Sequence, residues 1–363
     1  MLKRRIMVLG MSPHIGGVES YIMNWFRNID RNKYEFYFPY YKQIAYKEEL
    51  LALKAILLKL EVTRHNPIKY VHYMNKIFEK YSFDAVYYNT CDIMSMDMIM
   101  FGKKHGVPVR IIHSHNSSNI IPPNFLHQIT EKWCRKRVDK YATKMLACSQ
   151  VAGQWMFDGR TFEIVNNGID VEKFRFNSTA RKKMRKILSI EDNLVIGFVG
   201  SLWRQKNPIF LIEVFEKILK KREDAILLIV GEGELHKEME DRVSEYGISH
   251  AVRFLGICPN VSELMCAMDR FVLPSIFEGL PFVLVEAQAN GLPCITSDNV
   301  SRESNITGEV QYASLDETLE FWSDLVLNHQ VMEERDKYAD IIRNSGFDIV
   351  SIVKQIESHL EGN

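Results

Sequence analysis

Much of what this sequence of 363 residues can do is bounded by what it lacks. It has no net charge, with 46 lysines and arginines balancing 46 acidic residues, which argues against a strongly basic nucleic-acid binder. No apolar run approaches the ~18 residues of a membrane-spanning helix. The apolar stretch Ile6–Met11 behind the basic start MLKRR is too short for a secretory signal, so a cytoplasmic location is expected. The six cysteines (Cys91, Cys134, Cys148, Cys258, Cys266, Cys294) form no C-x-x-C pair, so neither a zinc site nor a disulfide framework is expected. Two nucleotide fingerprints are missing as well. The loop after the first apolar run, Gly10-Met11-Ser12-Pro13-His14-Ile15-Gly16-Gly17-Val18-Glu19, is not G-x-G-x-x-G and lacks the Lys-Ser/Thr of a P-loop. A NAD-dependent dehydrogenase and an NTPase both lose ground.

What is present is a globular composition, 46% hydrophobic and 25% charged, in a length that suggests about two domains. Short apolar runs alternate with segments of helical period. In the first half the runs are Ile6–Leu9, Glu35–Pro39, Ala85–Tyr88, Val109–His113 and Met145–Cys148. In the second half they are Leu194–Val199, Ala225–Val230, Val252–Leu255, Arg270–Leu273 and Cys294–Thr296. Strand–helix alternation predicts an α/β fold of two Rossmann-like, doubly wound parallel-sheet domains. The expected boundaries are residues 1–172 and 190–345, joined by a lysine/arginine-rich linker over 173–189, with a C-terminal helix at about 346–363 packing back on the first domain. Open parallel sheets bind ligands outside the carboxyl ends of their strands, so two such domains are expected to face a central cleft.

The loops at those strand ends carry the candidate chemistry, each with a plainer reading beside it. Gly16 and Gly17, before a helix, either form an ordinary strand-to-helix turn or let a ligand approach free amides. His113 and His115 of VRIIHSHN fall on one strand face. They are either packed at a strand end or, for His115, placed to touch a substrate hydroxyl. No further ligand for a metal is evident beside them. In Gly200-Ser201-Leu202-Trp203-Arg204-Gln205-Lys206-Asn207-Pro208, the cations Arg204 and Lys206 are either a solvated surface or a grip for a diphosphate. Gly231-Glu232-Gly233 repeats the strand–glycine–helix pattern.

The stretch PSIFEGLPFVLVEAQANGLPCITS adds two carboxylates. Pro281 favours a helix start, which puts Glu278 in the loop before the helix and Glu286 about one and a half turns into it. One carboxylate could hold a hexose and the other a ribose, with a diphosphate between them at the helix N-terminus. The plainer reading is one helix-start glutamate favoured by the dipole and one solvated glutamate.

This stretch resembles the signature of the retaining GT-B-fold glycosyltransferases of the fourth sequence family. It matches P-S-x-x-E-G-x-P-x-x-x-x-E-A-x-A-x-G-x-P nearly throughout. The likeness extends in order to GGVES, HSHN, NNGID, the Gly200–Lys206 loop and Gly231-Glu232-Gly233. GGVE with HSHN is most similar to bacterial members that build capsule or exopolysaccharide. The resemblance implies a nucleotide-sugar co-substrate and neither cofactor nor metal. Glu278, with the amides of Gly279 and Leu280, would bind the transferred sugar, and Glu286 the ribose. Lys206 and Arg204 would bind the diphosphate and stabilise the departing UDP. Gly16 and Gly17 would close on the phosphates, Gly233 would belong to the nucleotide site, and His115 would lie by the donor sugar and the acceptor. Members often carry Gly-Arg where this chain has Gly200-Ser201, so either Arg204 supplies the guanidinium from a shifted position or the leaving group is less well stabilised.

The resemblance further implies a retaining transfer of a hexose or N-acetylhexosamine, most often from UDP, to a saccharide or lipid-linked acceptor in surface polysaccharide synthesis. Lys132, Lys136, Lys140 and Lys144 follow i+4 steps beside Trp133. They are either a solvated face or one helical stripe that rests peripherally on an anionic membrane surface. A UDP-sugar epimerase of the same fold and a non-catalytic nucleotide-sugar-binding protein are the alternative functions.

Overall fold

The runs richest in valine, isoleucine and leucine become the centres of two sheets. Ala225–Val230 is buried at all six positions, as a strand covered on both faces must be. A computed structural model of the chain describes residues 3–116, 124–330 and 333–362. The chain divides into two compact units, Met1–Gly168 with Ile349–Asn363, and Ile169–Asp348.

The first unit holds seven parallel strands, β1 (Arg4–Leu9), β2 (Tyr34–Tyr40), β3 (Ile56–Lys59), β4 (Ala85–Thr90), β5 (Val109–Ser114), β6 (Lys144–Ala147) and β7 (Glu163–Ile164), in the order β3-β2-β1-β4-β5-β6-β7. The second holds six, β8 (Leu194–Val199), β9 (Ala225–Val230), β10 (Val252–Phe254), β11 (Arg270–Leu273), β12 (Cys294–Ser297) and β13 (Val310–Ala313), in the order β10-β9-β8-β11-β12-β13. In each the first strand lies inside the sheet, and the chain builds outward to one edge before switching to the other side. That is the doubly wound pattern, and its ligand edge is the carboxyl end near the switch. The C-terminal helix Ile349–Glu361 belongs to the first unit. It buries Ile349, Ile352, Val353, Ile356 and Leu360, one stripe at helical spacing, and packs on the helix Gly17–Asn28.

Two sequence expectations need correction. Residues 173–189 are not a linker but an ordered part of the second unit. Asn177 caps the helix Ser178–Leu188 through Ala180 N–H. The cations of RKKMRK split by face: Arg181 and Arg185 each pair with Asp269 at 2.5 Å, while Met184 enters the core. A basic run reads as solvent-facing in one dimension, but helical spacing turned two of its members inward. The lysine stripe is not a single helix either. The helix Phe125–Arg135 ends before a separate turn at Val138–Tyr141, and Lys144 opens β6, where its ammonium reaches His359 Nδ1 at 3.4 Å. What the helix does expose at four-residue steps is apolar: Phe125, Ile129 and Trp133, with Lys132 and Lys136 exposed beside them.

Candidate active site

In the second unit, the loops that follow β8, β9 and β11 are stitched together by their own backbone. Gly200 N–H donates to Val230 O, Leu202 N–H to Glu232 O, and Leu235 N–H to Leu202 O, all at 3.0 Å. Ile276 N–H donates to Gln205 O at 2.8 Å, tying the loop of the two glutamates to the cation loop. The close approach needs glycine. Gly231 has φ +132°, and a Cβ there would sit 1.9 Å from Gly200 O; one at Gly233 would sit 2.5 Å from Leu202 O.

This frame brings Lys206 to Glu278. Lys206 Nζ lies 2.6 Å from Glu278 Oε1, and the two side chains are only 15% and 12% exposed. Gln205 Nε2 donates to Phe277 O at 3.2 Å and more weakly to the same Oε1 at 3.4 Å. The Glu278 backbone is held in turn by a short parallel bridge to Val300, with Ser301 N–H donating to Glu278 O at 3.1 Å. Lysine has three donors and a carboxylate about four acceptor sites. The pair therefore keeps donors for an anion on one side and acceptors for hydroxyls on the other. A mostly buried ion pair contributes little net stability, because desolvation opposes the attraction. It does hold a charge where a ligand can use it.

Pro281 is the residue before the helix Phe282–Ala289, one position short of the expected start, with buried Gly279 and Leu280 leading in. The first-turn amides of that helix have no partner within it. Glu286 is the fifth residue of the helix. Burial of its carboxyl pushes the pKa up to about 7, with Lys173 pulling the other way. Arg204 sits on the 3-10 turn Arg204–Lys206, but its side chain points to solvent and makes no ion pair among the described residues. Of the residues singled out in this unit, Lys206, Glu278 and Gly233 share one loop cluster and Gly279 and Leu280 continue it. Glu286 is linked to it only through the helix, its charged neighbour being Lys173.

In the first unit, Gly16 precedes the helix Gly17–Asn28, and both glycines are exposed. Neither has a positive φ, and a Cβ on Gly17 would meet nothing within 4 Å. Space is left there that the fold itself does not use. His115 follows β5 and packs on Tyr21 and His113, with ring centroids 4.5 and 4.2 Å away. Its Nε2 lies 3.1 Å from Asn89 Oδ1, and burial pushes its pKa down to about 3. Beyond the carboxyl ends of β1, β2 and β4 lies a cavity of about 410 Å³, lined by Tyr40, Tyr41, Tyr88, Lys42, Arg64 and Asp97 among others. Asp97 anchors it, accepting from Arg64 Nε at 2.9 Å and Nη2 at 2.8 Å, Ser95 Oγ at 2.7 Å and Tyr70 Oη.

Sequence reasoning missed Gln205, Asn89, Tyr21 and this cavity. Gln205 could have been found as the residue between two candidate cations. Asn89 had a weaker signal, a polar pair Asn-Thr closing an apolar strand run. Among the described residues no group of three or more His, Cys, Asp or Glu could hold a metal ion. Among them, too, no helix is long and apolar enough to cross a membrane.

Comparison with known proteins bears on what this frame is for. A protein of Bacillus subtilis (strain 168) named as the glycosyltransferase EpsF is 33% identical over 335 residues, which cover 89% of this chain and 87% of that one. The family model for glycosyl transferases group 1 matches residues 180–314. The chain belongs to the group 1 glycosyltransferases. The family match covers the cation loop, the Gly231-Glu232-Gly233 loop and both glutamates of the second unit. A shorter likeness, 34% identity over 145 residues, is to the Escherichia coli UDP-Gal:alpha-D-GlcNAc-diphosphoundecaprenol alpha-1,3-galactosyltransferase, covering 39% of this chain and 38% of that one. In fold, this group 1 glycosyltransferase is similar to Anabaena Alr3699/HepE in complex with UDP, with a TM-score of 0.77 at 20% identity over 100% of both chains. The fold is that of the GT-B glycosyltransferases.

Proposed function

We propose that this glycosyltransferase moves a hexose or N-acetylhexosamine from UDP to a saccharide or lipid-linked acceptor in surface polysaccharide synthesis, with retention at the anomeric carbon. The observation that carries the reading is the Lys206–Glu278 pair at 2.6 Å, set among glycine loops at the carboxyl edge of the second sheet. Lys206 grips the diphosphate and stabilises its charge as UDP departs, and the first-turn amides after Pro281 add to it. Preorganised charge of this kind is usually the largest catalytic contribution. Arg204 joins from its exposed turn. Glu278 accepts hydrogen bonds from hydroxyls of the transferred sugar beside the amides of Gly279 and Leu280. Glu286 accepts from the ribose, while Gly233 keeps the β9 loop tight behind the nucleotide. Gly16 and Gly17 give the phosphates a backbone approach, and His115 meets a sugar hydroxyl. No carboxylate is assigned as a nucleophile, so the reading is a same-face transfer in which the leaving phosphate helps deprotonate the acceptor. Lys206 and the helix amides supply the charge that a metal would otherwise bring.

UDP in the Anabaena relative and the UDP-Gal donor and lipid diphosphate acceptor in the name of the Escherichia coli relative support this choice of substrates. The aromatic cavity beyond β1, β2 and β4 is assigned to the acceptor, since tyrosine faces suit sugar rings. Phe125, Ile129 and Trp133, flanked by Lys132 and Lys136, form the face that would rest on an anionic leaflet at the cytoplasmic side. The test is a screen of UDP- and GDP-sugars for nucleotide release, with the product's anomeric configuration read by NMR. Release from a UDP-hexose with retained configuration is expected. No release from any sugar nucleotide ends the transferase reading, and an inverted product ends the retaining one. Vesicles containing phosphatidylserine test the surface: Trp133→Ala with Lys132→Ala should lose co-sedimentation, and unchanged binding would remove the membrane from the account.

A further inference from the structure

The proton on His115 can be located from its neighbours. β4 and β5 run in parallel register, with Asn89 opposite His113 and Thr90 opposite Ser114. His115 N–H donates to Thr90 O at 3.0 Å, which carries the pairing one residue past the strand. The Asn89 side chain is buried, and its Nδ2 donates to the Leu9 carbonyl at 3.2 Å. A carbonyl oxygen only accepts, so the amide cannot be turned the other way. Asn89 Oδ1 therefore faces His115 Nε2, at 3.1 Å. That oxygen also only accepts, so Nε2 must carry a hydrogen. Burial keeps the ring neutral, which leaves Nδ1 with the lone pair. No protein donor among the described residues reaches Nδ1.

The ring cannot easily flip to exchange the two nitrogens. Tyr21 and His113 pack on it, and they are braced by a buried chain in which Tyr21 Oη lies 2.9 Å from Tyr87 Oη, and Tyr87 Oη lies 2.8 Å from His113 Nδ1.

We propose that Asn89 is a positioning residue that locks His115 in the Nε2–H tautomer, so that Nδ1 is offered as a pure acceptor to a hydroxyl of the sugar. This rests on the reading that His115 meets the sugar, and it adds a consequence. An atom that only accepts selects a substrate that donates, so a sugar deoxygenated or methylated at the contacted position should be a poor substrate.

The experiment is nitrogen-15 NMR of the full chain labelled at histidine, with His115→Gln used to identify the His115 signals. At pH 7 the wild type should show a protonated Nε2 and a bare Nδ1. Adding UDP-glucose should perturb Nδ1 while Nε2–H persists. In Asn89→Leu the Nε2–H pattern should be lost, and UDP release from UDP-glucose should fall about tenfold, the worth of one hydrogen bond, with UDP affinity unchanged. Asn89→Asp keeps an acceptor at Oδ1 but adds a negative charge beside the ring, so Nε2–H should persist while Nδ1 gains a proton. A protonated Nδ1 in the wild type overturns the proposal, as does an unchanged pattern in Asn89→Leu. Should the leucine variant not fold, the aspartate variant still decides, since a bare Nδ1 unchanged from the wild type would show that the residue 89 side chain does not act on the ring. If the tautomer is as expected but UDP-glucose binds without touching Nδ1, the sugar contact fails while the lock stands, so the two claims fail separately.

Discussion

Glu286 imposes a stability cost whose size and pH window follow from its surroundings. An unfolded glutamate releases its proton near 4.5, whereas burial holds the proton of folded Glu286 to about 7. Between those values the folded chain binds more protons than the unfolded one, so stability falls as pH rises through the window. It is highest below about 4.5 and reaches its lower plateau above about 7. At about 1.4 kcal/mol per pH unit, the full window is worth at most about 3.5 kcal/mol. Glu286→Gln keeps the shape and removes the charge, so it removes the cost. At pH 8 the variant should be more stable than the wild type by as much as about 3.5 kcal/mol, and most of that gap should close by pH 5. Urea unfolding of both proteins at the two pH values, followed through the second unit's Trp203 and Trp322, measures it. A gap of the same size at both values, or a variant less stable at pH 8, would refute the reasoning. A carboxylate kept at such a cost is the mark of a functional rather than a stabilising residue. The same variant should therefore bind UDP more weakly despite being more stable.

Other consequences can be checked individually. Glu278→Gln leaves Lys206 without its carboxylate partner, so UDP should bind at least as well as to the wild type. Turnover of the sugar donor should drop by about ten- to a hundredfold, the worth of a charged hydrogen bond, in steady-state assays. Asp269→Ala removes the carboxylate that Arg181 and Arg185 share and leaves the two cations only carbonyl acceptors, so a loss of about 3–5 kcal/mol from the second unit is expected in denaturant titration. A loss below about 1 kcal/mol would show that the shared carboxylate does little to hold the helix Ser178–Leu188 in place. Activity should survive exhaustive chelation, measured as UDP release with and without EDTA. A chelator-sensitive enzyme would contradict the assignment of that charge to Lys206.

The parts of this molecule that were legible in the sequence are those where burial leaves a one-dimensional trace. Strands covered on both faces are continuous apolar runs, and β8, β9 and β11 fall where such runs predict them. The three strands that escaped notice, β3, β7 and β13, are all sheet edges. β7 is two exposed residues, and β3 has its four residues mostly outside the core. In ILLK the leucines of a neighbouring helix also mask any period of two. The site shows the same division. Lys206 and Glu278 were found because motif and loop position agree, and their contact at 2.6 Å required the fold to bring residues 72 apart in sequence together. Gly233 was found for another reason than the one the fold gives it, which is its approach to Leu202. Asn89 could not be read, because its role depends on the Leu9 carbonyl of a neighbouring strand, and no spacing rule encodes that.

The most direct measurement of the central claim is calorimetric titration of UDP into the wild type and Lys206→Ala. Saturable binding by the wild type, weakened at least tenfold in the variant, is what a diphosphate gripped by Lys206 requires. Equal affinity in the two proteins, or no binding of UDP by the wild type, would contradict it.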